Sequence, residues 1–351
     1  MKNFLSRCLF VVMLFAVILP APLSAGSADI DKKFDVKPGQ ELRLEFDHIR
    51  GKIEIEGWDK NRVEVSGRIR GSDWRDDDEL EFDQTSSGVD IAPSFRVRDD
   101  DRVKAELTIR VPREFDIRIQ ARADTRIRDL RGRIDLSIAN ADVDLEDVHG
   151  ESDISTANGK LRVKNCTLDG EVSNVNGGVT LEDSDVSGEI ASVNGNTTVS
   201  RSPGGIEVSS TNGNVELGIV KDHVRAETVN GRIEIDELDG WIEAETVNGA
   251  VRLRMVGSPS GKRSVKIETV NGDVEIEIPE NFSMDFDVEV ESDGGNSHYE
   301  IISDFELKIE VDDSRRRYRA SGKGQTGGGR NKVYIRATNG DVILKKAVST
   351  D

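Results

Sequence analysis

Asparagine recurs every 18 residues through the middle of this chain: Asn140, Asn158, Asn176, Asn194, Asn212, Asn230 and Asn248 keep strict register, and all but the first precede glycine. A spacing held over so many copies predicts that each copy occupies the same place on one rung of a stack. A single inserted residue would break its pairing with the rungs on either side. The chain is therefore expected to be all-β, a parallel β-solenoid of 18-residue coils.

Columns counted from each asparagine say which side chains fill the stack. Three residues after it stand Val143, Leu161, Val179, Thr197, Val215, Ile233 and Val251, and five after it Leu145, Val163, Leu181, Val199, Leu217, Ile235 and Leu253. Four before it come Leu136, Ile154, Val172, Ile190, Val208, Ala226 and Ala244, and two before it a column dominated by Thr and Ser. Each coil is thus expected to turn two strand segments inward in two layers, joined at the Asn-Gly by a tight turn that uses positive φ at glycine. The register extends back to Arg122 and, after an insertion around Gly257 to Lys262, forward to Asn271, giving nine coils and a rod of roughly 40 Å at about 4.8 Å per rung.

Two other 18-residue solenoids are excluded. A left-handed hexapeptide helix needs an aliphatic residue eleven after each asparagine, where Asp169, Ser187, Gly205, His223 and Trp241 stand instead. The calcium-binding β-roll needs two Gly-Gly-x-Gly-x-Asp turns per coil, and no coil contains one.

Lys2 and Arg7 precede an apolar run from Cys8 to Leu19, followed by the small residues Ala25, Gly26 and Ala28, the pattern of a secretory signal peptide. Four regions follow: a signal segment 1–28, an N-terminal β region 29–116, the repeat array 117–279 and a C-terminal β region 280–351. The end regions are expected to cap strand edges that would otherwise recruit other chains. Removing Lys2 and Arg7 takes the formal charge from -19 to -21, a balance that disfavours nucleic acid. Cys166 is the only cysteine left after processing, so no intrachain disulfide is available. No transmembrane span is expected after signal cleavage, and the protein is expected to be exported: periplasmic, cell-surface associated or secreted.

No catalytic constellation emerges. His48, His149, His223 and His298 fall at unrelated repeat positions, and no nucleophile elbow, metal-spaced Cys or His pair, or phosphate loop is present. Cys166 shares its repeat position with Leu130, Val148, Val220 and Leu238, which predicts a buried core thiol. The asparagine column reads as an internal ladder of side-chain amides, or as a row gripping a polysaccharide. The preceding Val175, Val193, Val229 and Val247 suggest a packed corner and favour the ladder.

One outward column stands out: Asp135, Asp153, Glu171, Glu189 and Glu207 lie five residues before successive asparagines, continued by Arg225 and Glu243. Ser137, Ser155, Ser173, Ala191 and Ser209 run beside them. Carboxylates about 4.8 Å apart repel by roughly 1 kcal/mol per neighbouring pair in water. Either the array bears that cost as a solvated face, or a divalent cation such as calcium or a basic ligand relieves it.

Several phrases resemble a bacterial family: Asp35-Val-Lys-Pro-Gly39, Arg50-Gly-Lys-Ile-Glu-Ile-Glu-Gly-Trp-Asp59, Ile109-Arg-Val-Pro112, Thr246-Val-Asn-Gly249, Thr269-Val-Asn-Gly-Asp-Val-Glu-Ile276 and Thr338-Asn-Gly-Asp-Val-Ile-Leu344. The mature chain is similar to the exported β-strand-repeat proteins called "putative adhesins", built on a domain of unknown function. The resemblance implies a β-solenoid of the bacterial envelope or beyond it and carries over no catalytic residues. Arg122-Ala123 and Asn140-Ala141 depart from its Asn-Gly turns. The expected function is a non-enzymatic binding or structural module that contacts an envelope or extracellular macromolecule, protein or polysaccharide. An envelope-stress or signalling accessory with the rod as spacer, or a polysaccharide-acting β-helix enzyme, are the alternatives.

Overall fold

The computed structural model describes residues 26–71, 80–94, 103–292, 298–314 and 317–347. The expected signal segment up to residue 25, residues 72–79 with Trp74, and Arg315 and Arg316 lie outside them. Twenty-seven strands form one sheet, and no helix occurs among the described residues. Side chains alternate in and out because the strand period is two. Successive coils pair in parallel at a constant 18-residue offset, Val143 with Leu161, Leu161 with Val179, and Val215 with Ile233. The columns three, five and minus four from asparagine all lie in the core, as expected.

Each coil buries three segments where two were expected. The third centres eight residues after the asparagine, on Val148, Cys166, Ser184, Ser202, Val220 and Leu238, all buried. A corner leads into it: Asp129, Asp147, Asn165 and Asp183, seven residues after each repeat position, have φ between 47° and 56°. Asp and Asn tolerate this left-handed conformation because their short polar groups bond locally. The apolar members of this column already place Cys166 in the core from sequence, but Ser184 and Ser202 break the column in the middle of the array, so it does not read as a third inward segment.

The Asn-Gly glycines also serve a different purpose from the one expected. Of those in the array, only Gly177 and Gly272 have φ in the left-handed range. What demands glycine is the stacking itself. A Cβ on Gly195 would lie 1.9 Å from the Gly177 carbonyl oxygen, and one on Gly213 would lie 2.0 Å from that of Gly195. Where the turn departs from Asn-Gly, Asn140 itself takes φ 59° ahead of Ala141.

The stack holds thirteen rungs, not nine. Its column four before asparagine runs Ile91, Leu44, Ile119, Leu136 and onward to Ile267, Ile335 and Val288, each paired with the next. At about 4.8 Å per rung its twelve spacings span about 58 Å. The regions expected as mere caps each contribute two rungs, and each does so out of sequence order. Near the start, the 41–58 strand forms the second rung, Gly88–Pro93 and Val103–Pro112 supply the first, and 116–131 returns as the third. Near the end, Met284–Ser292 and Ile301–Ser303 form the last rung and 331–347 fills the place between it and the array. Antiparallel strands close both ends: Arg62–Gly71 on Val103–Pro112, and Arg317–Thr326 on Met284–Ser292. They cover edges that would otherwise be open to other strands.

Candidate binding face

The asparagine side chains form an unbroken ladder. Asn158 Nδ2 donates to Asn140 Oδ1 at 2.7 Å, and Asn176, Asn194, Asn212, Asn230 and Asn248 each donate to the amide one coil back at 2.8–2.9 Å. Asn271 and Asn339 extend the ladder, Asn339 bonding to Asn271 across 68 residues of sequence. These exposed amides satisfy one another along the rod.

The acidic column is in register, and its ends are neutralised by the protein itself. Arg118 lies 3.1 Å from Asp135, and Arg225 lies 2.6 Å from Glu207. Glu189 accepts a 2.5 Å hydrogen bond from Ser209 Oγ, while Asp153 and Glu171 make no ion pair among the described residues. Ser137 and Ser155 are exposed; the Ser173 hydroxyl donates to the Ile154 carbonyl at 3.3 Å. Among the described residues no group of three or more His, Cys, Asp or Glu is placed to hold a metal ion.

Past Arg225 the same face carries a hub. Lys266 Nζ lies 2.7 Å from Glu243, 3.0 Å from Glu245 and 3.4 Å from Glu268. The Lys266 ammonium holds the Glu243 carboxyl below the usual carboxylate range, and the two carboxylates push the lysine up.

The valine column contradicts the packed-corner expectation. Val175, Val193, Val229, Val247 and Val270 are each 41–44% exposed and form an apolar stripe one residue before the asparagine ladder. They point outward because the residues before them, Asn174, Ser192, Thr228, Thr246 and Thr269, turn inward to serve the backbone. Thr228, Thr246 and Thr269 donate to the carbonyls of Gly213, Gly231 and Gly249 at 3.1–3.2 Å. Strand alternation then leaves the neighbouring valines in solvent.

Between the stripe and the column three residues before asparagine runs a groove of about 660 Å³. Its second wall is Ser173, Ala191 and Ser209 along one half, then Glu227, Glu245 and Glu268, with Arg336 beyond. Sequence reasoning named Ser173 and Ser209 of this wall and missed the groove. The outward signal was available in the strict alternation of Thr-Val-Asn, where only one of two adjacent β-branched residues can face the core.

Two further predicted positions are settled by geometry. Cys166 is buried, its thiol pushed up to about 11 by desolvation, and it donates to the Lys164 carbonyl. His223 and Trp241 stack with centroids 5.0 Å apart, and Lys262 lies over the Trp241 ring at 3.9 Å.

Residues 171–345 match the family model Toastrack DUF4097. No curated protein matches the chain. Among solved structures, a putative cell adhesion protein from Clostridium sporogenes shares 12% identity over 91% of this chain and 100% of its own, with a TM-score of 0.19. Putative adhesins from Bacteroides fragilis and Parabacteroides distasonis each share 14% identity over 71% of this chain and 97% of theirs, with TM-scores of 0.31 and 0.37. Superpositions this loose carry no weight for function. The family match does place the chain: through residues 171–345 it belongs to the Toastrack DUF4097 family.

Proposed function

We propose that the protein is a non-enzymatic binding module of the bacterial envelope or cell exterior that lays the groove face of its solenoid against another macromolecule. The observation that carries this reading is the exposed valine stripe. Five valines more than two-fifths exposed, in line at rung spacing beside a groove with hydroxyl and carboxylate walls, form an apolar strip with polar margins. Contiguous exposed apolar surface of this kind marks contact sites. The apolar run behind Lys2 and Arg7 supports export, and the formal charge of -19 argues against a nucleic-acid partner.

Asp153 and Glu171 border the face and add negative potential at one end, which selects partners through association rate more than through affinity. The rod of about 58 Å sets how far the face extends but supplies no contact of its own. The test is binding of the purified protein to envelope fractions. Val193→Glu combined with Val247→Glu is expected to weaken capture at least tenfold while leaving the unfolding midpoint unchanged; undiminished capture would remove the groove from consideration. The same measurement on Glu171→Gln, Glu189→Gln and Glu207→Gln, with and without calcium, weighs the acidic column separately.

A further inference from the structure

The groove changes character halfway along. We propose that its partner is the same groove of a second copy, the two stacks running in opposite senses about a two-fold axis parallel to the strands. This rests on the reading of the groove as a contact face and names its occupant.

Such an axis lays each column on itself with rung order reversed, the self-complementary arrangement of an isologous dimer. In the column three before asparagine, Ser173 then faces Glu268 of the second copy, Ala191 faces its Glu245 and Ser209 its Glu227. Every long side chain meets a short one. In the valine column, Val175 faces Val270, Val193 faces Val247 and Thr211 faces Val229, closing an apolar seam.

Charge follows the same reversal. In the column five before asparagine, Glu171 faces Lys266 and Glu207 faces Arg225, leaving Glu189 opposite Glu243 as the one like-charge pair. One rung further, Asp153, which makes no ion pair among the described residues, faces Tyr334 of the second copy, with Arg336 two residues along the same strand. A two-fold axis along the stack, centred on the column three before asparagine, would instead match equal rungs and reverse the columns, setting Glu245 on Glu245 and Glu171 on Val175. The reversed order is the one this face fits.

Six rungs at about 4.8 Å and a width of about 17 Å from the acidic column to the asparagines give a footprint near 500 Å² per copy. The total of about 1,000 Å² is the lower limit for a specific contact, so the dimer is weak and concentration-dependent. The repulsion between two acidic chains is screened beyond about 8 Å at physiological ionic strength, leaving the local match to decide.

Sedimentation equilibrium of the purified protein up to about 1 mM tests this, since a Kd of about 100 µM would dimerise most chains there. Dimers are expected for the native sequence. Val193→Glu alone and Val247→Lys alone should each weaken dimerisation at least tenfold. An equimolar mixture of the two should restore it, because each new glutamate then faces a new lysine. Val193→Glu mixed with Val175→Lys should not restore it, since those positions do not face each other. A native protein that stays monomeric at 1 mM overturns the proposal, as does a mixture that fails to recover or recovers equally with the mismatched partner. Envelope capture measured on the same single variants separates the readings. Capture lost in a protein that never dimerises leaves the groove as a contact face for another molecule, whereas dimerisation lost with capture intact confines the groove to self-association.

Discussion

Two stretches of one array, built on the same 18-residue spacing, differ in how well they are made. From residue 161 to 212 the strands range from ten residues at Thr167–Asn176 down to the two residues Asp185–Val186. From Val215 to Asn248 two strands of 16 residues each run on past the corners. The third buried column accounts for the contrast. It holds Cys166, Ser184 and Ser202 in the first stretch, and Val220 and Leu238 in the second. Among the described residues, Ser202 and the nearby Thr197 bury hydroxyls with no hydrogen-bond partner, which costs free energy that a methyl group would not. Yet the asparagine ladder and the glycine contacts cross both stretches without a break, and the valine stripe runs through both with only Thr211 interrupting it. The register is held by backbone stacking and amide bonds at the corners, and the quality of the core sets only the local stability.

The sharpest test of that contrast is truncation at equivalent positions. Leu238→Ala should cost about 2–5 kcal/mol in denaturant unfolding, whereas Cys166→Ala, at the same repeat position, should cost about 1 kcal/mol. Equal losses would break the comparison. Next comes glycine stacking, which is expected to matter wherever carbonyls approach. Gly213→Ala should cost about 1–3 kcal/mol, because its Cβ would meet the Gly195 oxygen at 2.0 Å. Gly178→Ala, whose nearest atom is 3.5 Å away, should change stability by less than about 0.5 kcal/mol. In the poorly filled stretch, Ser202→Ala removes an orphan hydroxyl and should raise stability by about 1 kcal/mol; a loss would mean that the hydroxyl has a partner after all.

The smallest expected effect is electrostatic. Glu243, in the well-built stretch, has its carboxyl lowered by Lys266, so the folded protein binds fewer protons there than the unfolded chain. That stabilisation is present above the ordinary glutamate range near about 4.3 and is lost as pH falls through the lower folded value. The pair is partly exposed, so its worth is under about 1 kcal/mol. Lys266→Gln should flatten the acid side of the midpoint-versus-pH curve, and an unchanged slope would show that the pair contributes nothing.

Much of this was legible because the repeat does not slip between Asn140 and Asn248. The asparagine spacing gave the stack, and the columns through Val143, Leu145 and Leu136 gave most of its core. Other features were hidden for identifiable reasons. The rungs at 41–58 and 331–347 join by pairing across sequence separations that share no period, such as Asn271 with Asn339, so no spacing argument reaches them. The valine stripe was misjudged because an apolar column invites burial, and only the inward turn of Thr228 and Thr246 to the glycine carbonyls forces the valines out. The acidic column was placed in register, but its relief by Arg118 and Arg225 depends on side chains from neighbouring rungs.

Everything above depends on the coils standing in line, one rung apart, with the valines along one edge. Cysteines at Val175 and Val270, spin-labelled and measured by double electron–electron resonance at low micromolar concentration, report on this directly, because Cys166 is buried with its thiol pushed up to about 11. Five coil spacings at about 4.8 Å predict a narrow distribution centred near 24 Å. A broad distribution, or one centred beyond about 35 Å, would contradict the stack and the face built on it.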